Sequence, residues 1–261
     1  MRQTYEVYAI KYATREAKAS DHFHGNPDPH EDYSMPMDYF VWAVKSEQHT
    51  VVIDAGFNEE VAKQRKREFL RCPVKTLETI GVKADEVPYV IITHMHYDHI
   101  GNLEKFPKAN FVVQEAEMAF WTGKFASRPQ FKHTVEVSDV VHMVTENFEG
   151  RVQFVSGVKE ILPGLTVHQA GGHSAGLQFV KVATKNGPVI LTSDVSHFYK
   201  NLEEDRPFTV VHDLAGMYEA FDRVRAASDA DTIIVPGHDP EVIKRFPAVS
   251  PDLEGIVVKI S

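Results

Sequence analysis

Four side chains able to hold a metal ion, His94, His96, Asp98 and His99, fall within six residues of sequence, inside the stretch Thr93-His94-Met95-His96-Tyr97-Asp98-His99-Ile100-Gly101. Three more of the same kind stand further on: His173 after Gly171-Gly172, Asp194 after Ser193, and His238 after Pro236-Gly237. Imidazole nitrogen and carboxylate oxygen suit zinc, and they also accept manganese, iron or cobalt. A catalytic zinc keeps about three protein donors and one open position. Seven donors therefore suit two divalent ions, three apiece with one shared carboxylate, and zinc is the default. No cysteine stands among them, which argues against a structural zinc site. An open site of nitrogen and oxygen donors points to hydrolysis, because water held by such an ion ionises near neutral pH.

Each donor group follows an apolar run that reads as a buried strand: residues 90–93, 165–170, 189–193 and 232–235. If these strands share sheets with a common edge, all seven donors converge. The rest of the chain supplies the frame. Residues 5–12 alternate as a first strand, and 38–44 and 50–54 form two more around a turn at 46–49. Asp54-Ala55-Gly56 closes the third strand with a bend that glycine permits. Asn58 caps a helix expected to run to about Arg71, and a second helix over 74–80 ends at Gly81. A short helical piece follows Gly101, then a strand at 111–114 and a helix from Glu115 to Trp121. Residues 122–150 read as an irregular, partly helical excursion. Leu214, Met217, Tyr218, Phe221 and Val224 mark an amphipathic helix over 213–227, and 256–260 is a final short strand. The polar stretch 13–36 reads as a long loop beside the substrate pocket. Its His22, His24 and His30 are not read as ligands, since no regular element fixes them relative to one another. His49, His133, His142, His168 and His212 read as ordinary surface or core residues. With no repeat or linker in view, residues 1–261 read as one domain.

Composition narrows the class. A formal net charge of −9 argues against a nucleic-acid partner, whose phosphates require a Lys/Arg surface. Cys72 is the single cysteine, so no intrachain disulfide forms; that fits a reducing compartment and a cytoplasmic protein. The first six residues hold no apolar segment of secretory type, and no run approaches the roughly 18 apolar residues of a membrane helix.

The motif His94-Met95-His96-Tyr97-Asp98-His99, followed by His173, Asp194 and His238 in order, resembles the HxHxDH signature and later ligands of the metallo-β-lactamase superfamily. The resemblance covers nearly the whole chain. It implies an α/β fold, a four-layer αββα sandwich with the metals at one edge of two sheets. It also implies that His94, His96 and His173 hold one ion, that Asp98, His99 and His238 hold the other, and that Asp194 bridges them. Asp98 followed by His99 is the hydrolase pattern; the flavodiiron branch usually carries Glu where His96 stands.

In size and layout the chain is most similar to the N-acyl homoserine lactone lactonases. That implies ring opening by a bridging hydroxide, with Asp98 returning a proton to the leaving alkoxide. There are two departures. Gly172-His173-Ser174-Ala175-Gly176-Leu177 replaces the usual Gly-His-Thr-Pro-Gly-His, and His197, with Tyr199 nearby, stands where the lactonases carry a substrate-contacting tyrosine. An imidazole N–H can donate the same hydrogen bond. Phe23, Met35, Phe40 and Trp42 are the expected apolar contacts of an acyl chain. The expected partner is a small lactone or ester, with no nucleic acid or membrane, and a homodimer would use 122–150 or the N-terminal loop. The competing readings are a lactonase or amidohydrolase of a small catabolic ring compound, a glyoxalase II-type thioesterase, and a metal-binding protein without catalysis.

Overall fold

The structure is a computed structural model that describes residues 3–25, 30 and 32–261. Residues 1 and 2 of the expected N-terminal stretch, and 26–29 and 31 of the expected long loop, lie outside the described residues. The strands are β1 (Glu6–Arg15), β2 (Met37–Lys45), β3 (Thr50–Ile53), β4 (Glu68–Phe69), β5 (Tyr89–Ile91), β6 (Asn110–Gln114), β7 (Val152–Val155), β8 (Val158–Leu162), β9 (Leu165–Gln169), β10 (Gln178–Val182), β11 (Val189–Ser193), β12 (Ile233–Pro236) and β13 (Val257–Lys259). Among the described residues they form two sheets. One runs β13-β1-β2-β3-β5-β6-β7, with β4 paired to β1, and the other runs β12-β11-β10-β9-β8.

Strand alternation decides which side chains go where. On β2, Phe40, Trp42 and Val44 face the second sheet and pack with Val7, Ile53, Val167 and Val180. Tyr39, Val41 and Ala43 face the other way, onto a helical layer that includes Leu77, Ile100, Phe106 and Met143. The outer face of the second sheet is covered by the helix Leu214–Ala227, whose Met217, Phe221 and Val224 pack on Phe179 and Ile190. Two sheets between two helical layers make the four-layer αββα sandwich. No helix among the described residues is long and apolar enough to cross a membrane.

Several local signals hold. Asn58 accepts the Val61 N–H, Gly81 turns with φ 73°, and Asp213 caps the helix that follows it. Others are corrected. The helix after Asn58 stops at Gln64, and Glu68–Phe69 become a strand against Ala13 and Thr14. The reason is that β1 continues past a register shift at Lys11/Ala13 to Arg15 and offers an edge that local helix propensity cannot foresee. The same extension shortens the expected loop at its N-terminal end. The 122–150 excursion holds a regular helix, Val137–Phe148. Strands β7, β8 and β10 join the sheets without having been expected.

Candidate metal centre

The seven donors sit where β5, β9, β11 and β12 end, and all seven are buried. Asp194 lies at their centre. Its Oδ2 is 3.1 Å from His173 Nε2, 3.0 Å from His197 Nε2 and 3.6 Å from His94 Nε2. Its Oδ1 is 3.0 Å from His238 Nε2 and 3.4 Å from His99 Nε2. Asp98 Oδ2 stands 3.7 Å from His99 Nε2 and 3.8 Å from His238 Nε2, and His96 Nδ1 is 2.9 Å from His173 Nε2. Tetrahedral donors on bonds of about 2.0 Å lie roughly 3.3 Å apart, so these are the separations of ligands sharing an ion. The donor atoms fall into groups able to hold a metal: His94, His96, His173 and Asp194; then Asp98, His99 and His238. A third group, Asp194, His197 and His238, brings in His197.

The imidazoles are aimed from behind. His99 Nδ1 donates to Asp54 Oδ2 (2.7 Å), His173 Nδ1 to the Val210 carbonyl (2.8 Å) and His238 Nδ1 to the Asp38 carbonyl (2.8 Å), while His94 Nδ1 meets Thr93 Oγ1 (3.1 Å). Each leaves Nε2 facing Asp194, the arrangement that fixes tautomer and ring orientation in metal sites. His94 Nε2 and His99 Nε2 are buried without a hydrogen-bond partner, which suits atoms that await a cation.

Charge follows the same logic. Burial, reinforced by neighbouring imidazoles, pushes His94 and His96 well below the usual imidazole range and keeps them neutral. Burial also opposes charge on His99, but Asp194, Asp98 and Asp54 outweigh it and hold that imidazole well above its usual range. Burial works against the Asp194 carboxylate too, and His197, His238, His99 and His94 overcome it. Three carboxylates that favour positive charge at His99 favour a metal cation in the same place.

Two buried carboxylates support the shell, and sequence reading passed over both. Asp54, left-handed at φ 61°, accepts the Thr93 N–H (2.8 Å) and Thr93 hydroxyl (2.8 Å) as well as His99. In the sequence its place at the end of β3, before Gly56, shows only a bend. Glu117 accepts from the Met95 N–H (2.9 Å), the Trp121 indole (2.7 Å), the Ser174 hydroxyl (2.8 Å) and the Gly176 N–H (2.6 Å). It thereby ties the loop after β5 to the loop after β9. A Cβ on Gly176 would meet the Glu117 nitrogen at 2.3 Å, so only glycine fits there. Ser174, a departure from the family pattern, and Gly176, which the pattern shares, thus belong to one clamp.

A cleft of about 260 Å³ opens onto the cluster, with His96, Asp98, His173, Asp194 and His197 in its wall. Arg15, Met37, Tyr39, Arg67, Tyr97 and Phe208 complete much of the rest. His197 therefore stands in the site, stacked on Phe208 with ring centroids 3.5 Å apart. Tyr199 does not: its ring lies in the inter-sheet core with Arg245 over it at 3.6 Å. Phe40 and Trp42 are in that core as well, on the wrong face of β2; one residue of register puts Tyr39 on the cleft side instead. Phe23 is buried under Arg206, and Met35 packs at the edge of the helical-side core, with its carbonyl accepting from His22. Neither lines the cleft. A larger hollow of about 890 Å³ lies at the far end of β1 and β2, lined by residues such as Glu6, Lys45 and Lys259, and holds none of the donors.

Comparison with known proteins agrees with this geometry. The chain is 29% identical over 136 residues to an N-acyl homoserine lactonase of Bacillus sp, a match over 52% of this chain and 49% of that protein, so the chain spans about half the length of that relative. It is 27% identical over 249 residues to the N-acyl homoserine lactonase AttM of Azorhizobium caulinodans, covering 82% of this chain and 86% of AttM. The crystal structure of a quorum-quenching N-acyl homoserine lactone lactonase superposes with a TM-score of 0.79 at 21% identity, over 95% of this chain and 98% of that one, and so shares the fold. The profile described as Metallo-beta-lactamase superfamily matches residues 36–238 and takes in every candidate ligand. With its buried His/Asp cluster as a divalent-metal site, the chain belongs to the metallo-beta-lactamase superfamily.

Proposed function

We propose that this chain is a metal-dependent hydrolase that opens lactone rings, with N-acyl homoserine lactones as the substrates its relatives' names supply. The observation that carries the reading is the division of six buried donors into two groups of three on either side of a seventh, Asp194. His94, His96 and His173 are proposed to hold one ion, and Asp98, His99 and His238 a second, with Asp194 reaching both. Zinc is the first choice for this donor set. Ions bound there supply Lewis acidity and draw the ionisation of water toward neutral pH.

The chain's own groups do the rest. His197 stands in the cleft wall with Nε2 3.0 Å from Asp194 Oδ2; with that carboxylate engaged by the ions, its Nε2–H would turn to the carbonyl oxygen as charge builds on it. Asp98 returns a proton to the alkoxide released from the ring. Tyr39 and Phe208 close the cleft with apolar surface. We read residues 1–261 as one domain, since β13 near one end of the chain pairs with β1 near the other. Cytoplasmic location rests on the lone Cys72, and the homodimer reading on residues 122–150, where Val137, Val141 and Phe148 are exposed.

The test is acid release in a pH-stat from short- and long-chain N-acyl homoserine lactones, a simple γ-lactone and S-lactoylglutathione, using metal-loaded protein. Lactone turnover is expected, and His94→Ala should reduce it to background with loss of bound metal. Turnover of the thioester alone would replace this reading with the thioesterase one. An unchanged His94→Ala would overturn the site itself.

A further inference from the structure

The cleft carries positive charge that hydrolysis does not use. Three guanidinium groups, from Arg15, Arg65 and Arg67, line it together with the donor cluster. Arg65 has a structural role: it pairs with Glu136 (2.6 Å), donates to the His133 and Val135 carbonyls (2.8 and 3.0 Å), and lies over the Tyr97 ring at 3.9 Å. Arg67 donates to the Tyr97 hydroxyl (3.1 Å) and the Arg65 carbonyl (2.7 Å), and no carboxylate pairs with it among the described residues. Arg15 makes neither an ion pair nor a side-chain hydrogen bond among the described residues, and its Nε is buried without a partner.

The carboxylates nearby are committed elsewhere. Asp98 and Asp194 face the histidines, Asp98 acting on Arg67 through space without an ion pair, and Asp21, at the cleft edge, accepts the Lys18 N–H at 2.9 Å. A half-buried guanidinium stripped of water and left without an anion is unfavourable. In a chain of net charge −9, two of them beside one cleft are not explained by bulk composition. The cleft, about 260 Å³, also falls just below the roughly 300 Å³ at which ligand pockets usually begin, which suits a small substrate.

We propose that the substrate is a small lactone bearing an anionic oxygen group outside the reacting ring, a carboxylate or a phosphate, and that Arg15 and Arg67 seat that group. The inference rests on the lactone-hydrolase reading and departs from it in one respect. An N-acyl homoserine lactone has no charge to offer these arginines, whereas guanidinium groups recognise oxyanions in a planar fork. The reaction is unchanged: water oxygen bonds to the carbonyl carbon, the ring C–O bond breaks, and the alkoxide takes the proton. The product of a carboxylate-bearing ring is a hydroxy diacid.

Three probes share one ring: γ-butyrolactone-γ-carboxylate, its uncharged primary amide, and the analogue carrying a phosphorylated hydroxymethyl group. We expect at least one anion to exceed the amide in kcat/KM by about tenfold or more. Arg15→Gln and Arg67→Gln should each cost that anion about tenfold more than they cost the amide, mainly in KM, with Arg15→Lys recovering part of the loss. Whichever anion dominates identifies the group. Equal turnover of amide and anions, or equal losses in all three, overturns the proposal. If no lactone is hydrolysed, the hydrolase reading fails separately, and calorimetric binding of α-hydroxyglutarate decides this one: about tenfold weaker binding to Arg15→Gln supports it, and unchanged binding ends it.

Discussion

Beneath the cleft, in the buried layer that forms its floor, His94, His99, His173 and His238 are held from behind by a hydroxyl, a buried carboxylate or a backbone carbonyl, and of these four His173 reaches the cleft wall. On the rim, Arg15 has no such anchor, and Arg67 is held by one hydroxyl and one carbonyl. The floor is assembled from four strand ends and two buried carboxylates. The rim is contributed by the end of β1, the segment before β4 and the loop around Phe208. The contrast teaches a division of labour. Side chains anchored from behind fix chemistry that needs sub-ångström placement, and side chains with few anchors carry what selects the substrate.

The test with the largest expected effect removes a floor anchor. Asp54→Ala leaves the Thr93 N–H and the His99 Nδ1–H without their acceptor in a buried place. We expect a loss of about 2–4 kcal/mol in urea unfolding. Metal affinity measured against a chromophoric chelator should fall roughly 10–100-fold. Arg15→Gln on the rim should change both by little, within about 0.5 kcal/mol for stability. If the two variants behave alike, floor and rim are not built differently and the comparison fails.

A sharper version asks whether the floor is one unit or two. Glu117 joins the loop that carries His94 and His96 to the loop that carries His173. The anchors of His99 and His238, Asp54 and the Asp38 carbonyl, do not involve it. Glu117→Ala should therefore cost about 2–3 kcal/mol of stability and weaken one ion more than the other, by about tenfold. Chelator titration would show the two sites separating into two steps. A single step, shifted as a whole, would mean the sites are coupled through Asp194 more strongly than through their own loops.

The same contrast explains what was legible in the sequence. The seven donors could be read because their chemistry is local: a residue type at the end of an apolar run says what it can bind. The αββα layers followed from the resemblance those donors carry. Asp54 and Glu117 escaped because their partners lie far along the chain, Thr93 at 39 residues and Gly176 at 59. Nothing in a carboxylate's neighbours in sequence tells a buried acceptor from a solvated one. Phe40 and Trp42 look like pocket residues in the sequence because an apolar strand with both faces buried does not show which face meets the ligand; Tyr39, one step away, is the one that lines the cleft. β4 was hidden since its pairing depends on how far β1 extends. The arginines were invisible because rim positions follow no period.

The smallest expected effect concerns His22, the point where the rim is tied down as firmly as the floor. Its Nε2 donates to the Met35 carbonyl at 2.7 Å, its Nδ1 is buried without a partner, and its ring packs against Phe198 and Phe208, the latter covering His197. Burial is the main cause that brings its pKa down from 6.5 to about 4. The folded chain therefore keeps His22 neutral at a pH where the unfolded chain takes up a proton. The stabilisation is complete above about pH 6.5, declines as the pH falls toward 4, and is gone below it, with a full span of roughly 3 kcal/mol. Between about pH 7 and 5.5 the wild type should lose about 1 kcal/mol more than His22→Gln in urea unfolding, because glutamine does not titrate. Titrating groups shared by the two proteins cancel in that difference. Parallel losses would mean that His22 takes a proton in the folded state. The packing beneath Phe208 would then open in mild acid, and the rim would have no fixed point.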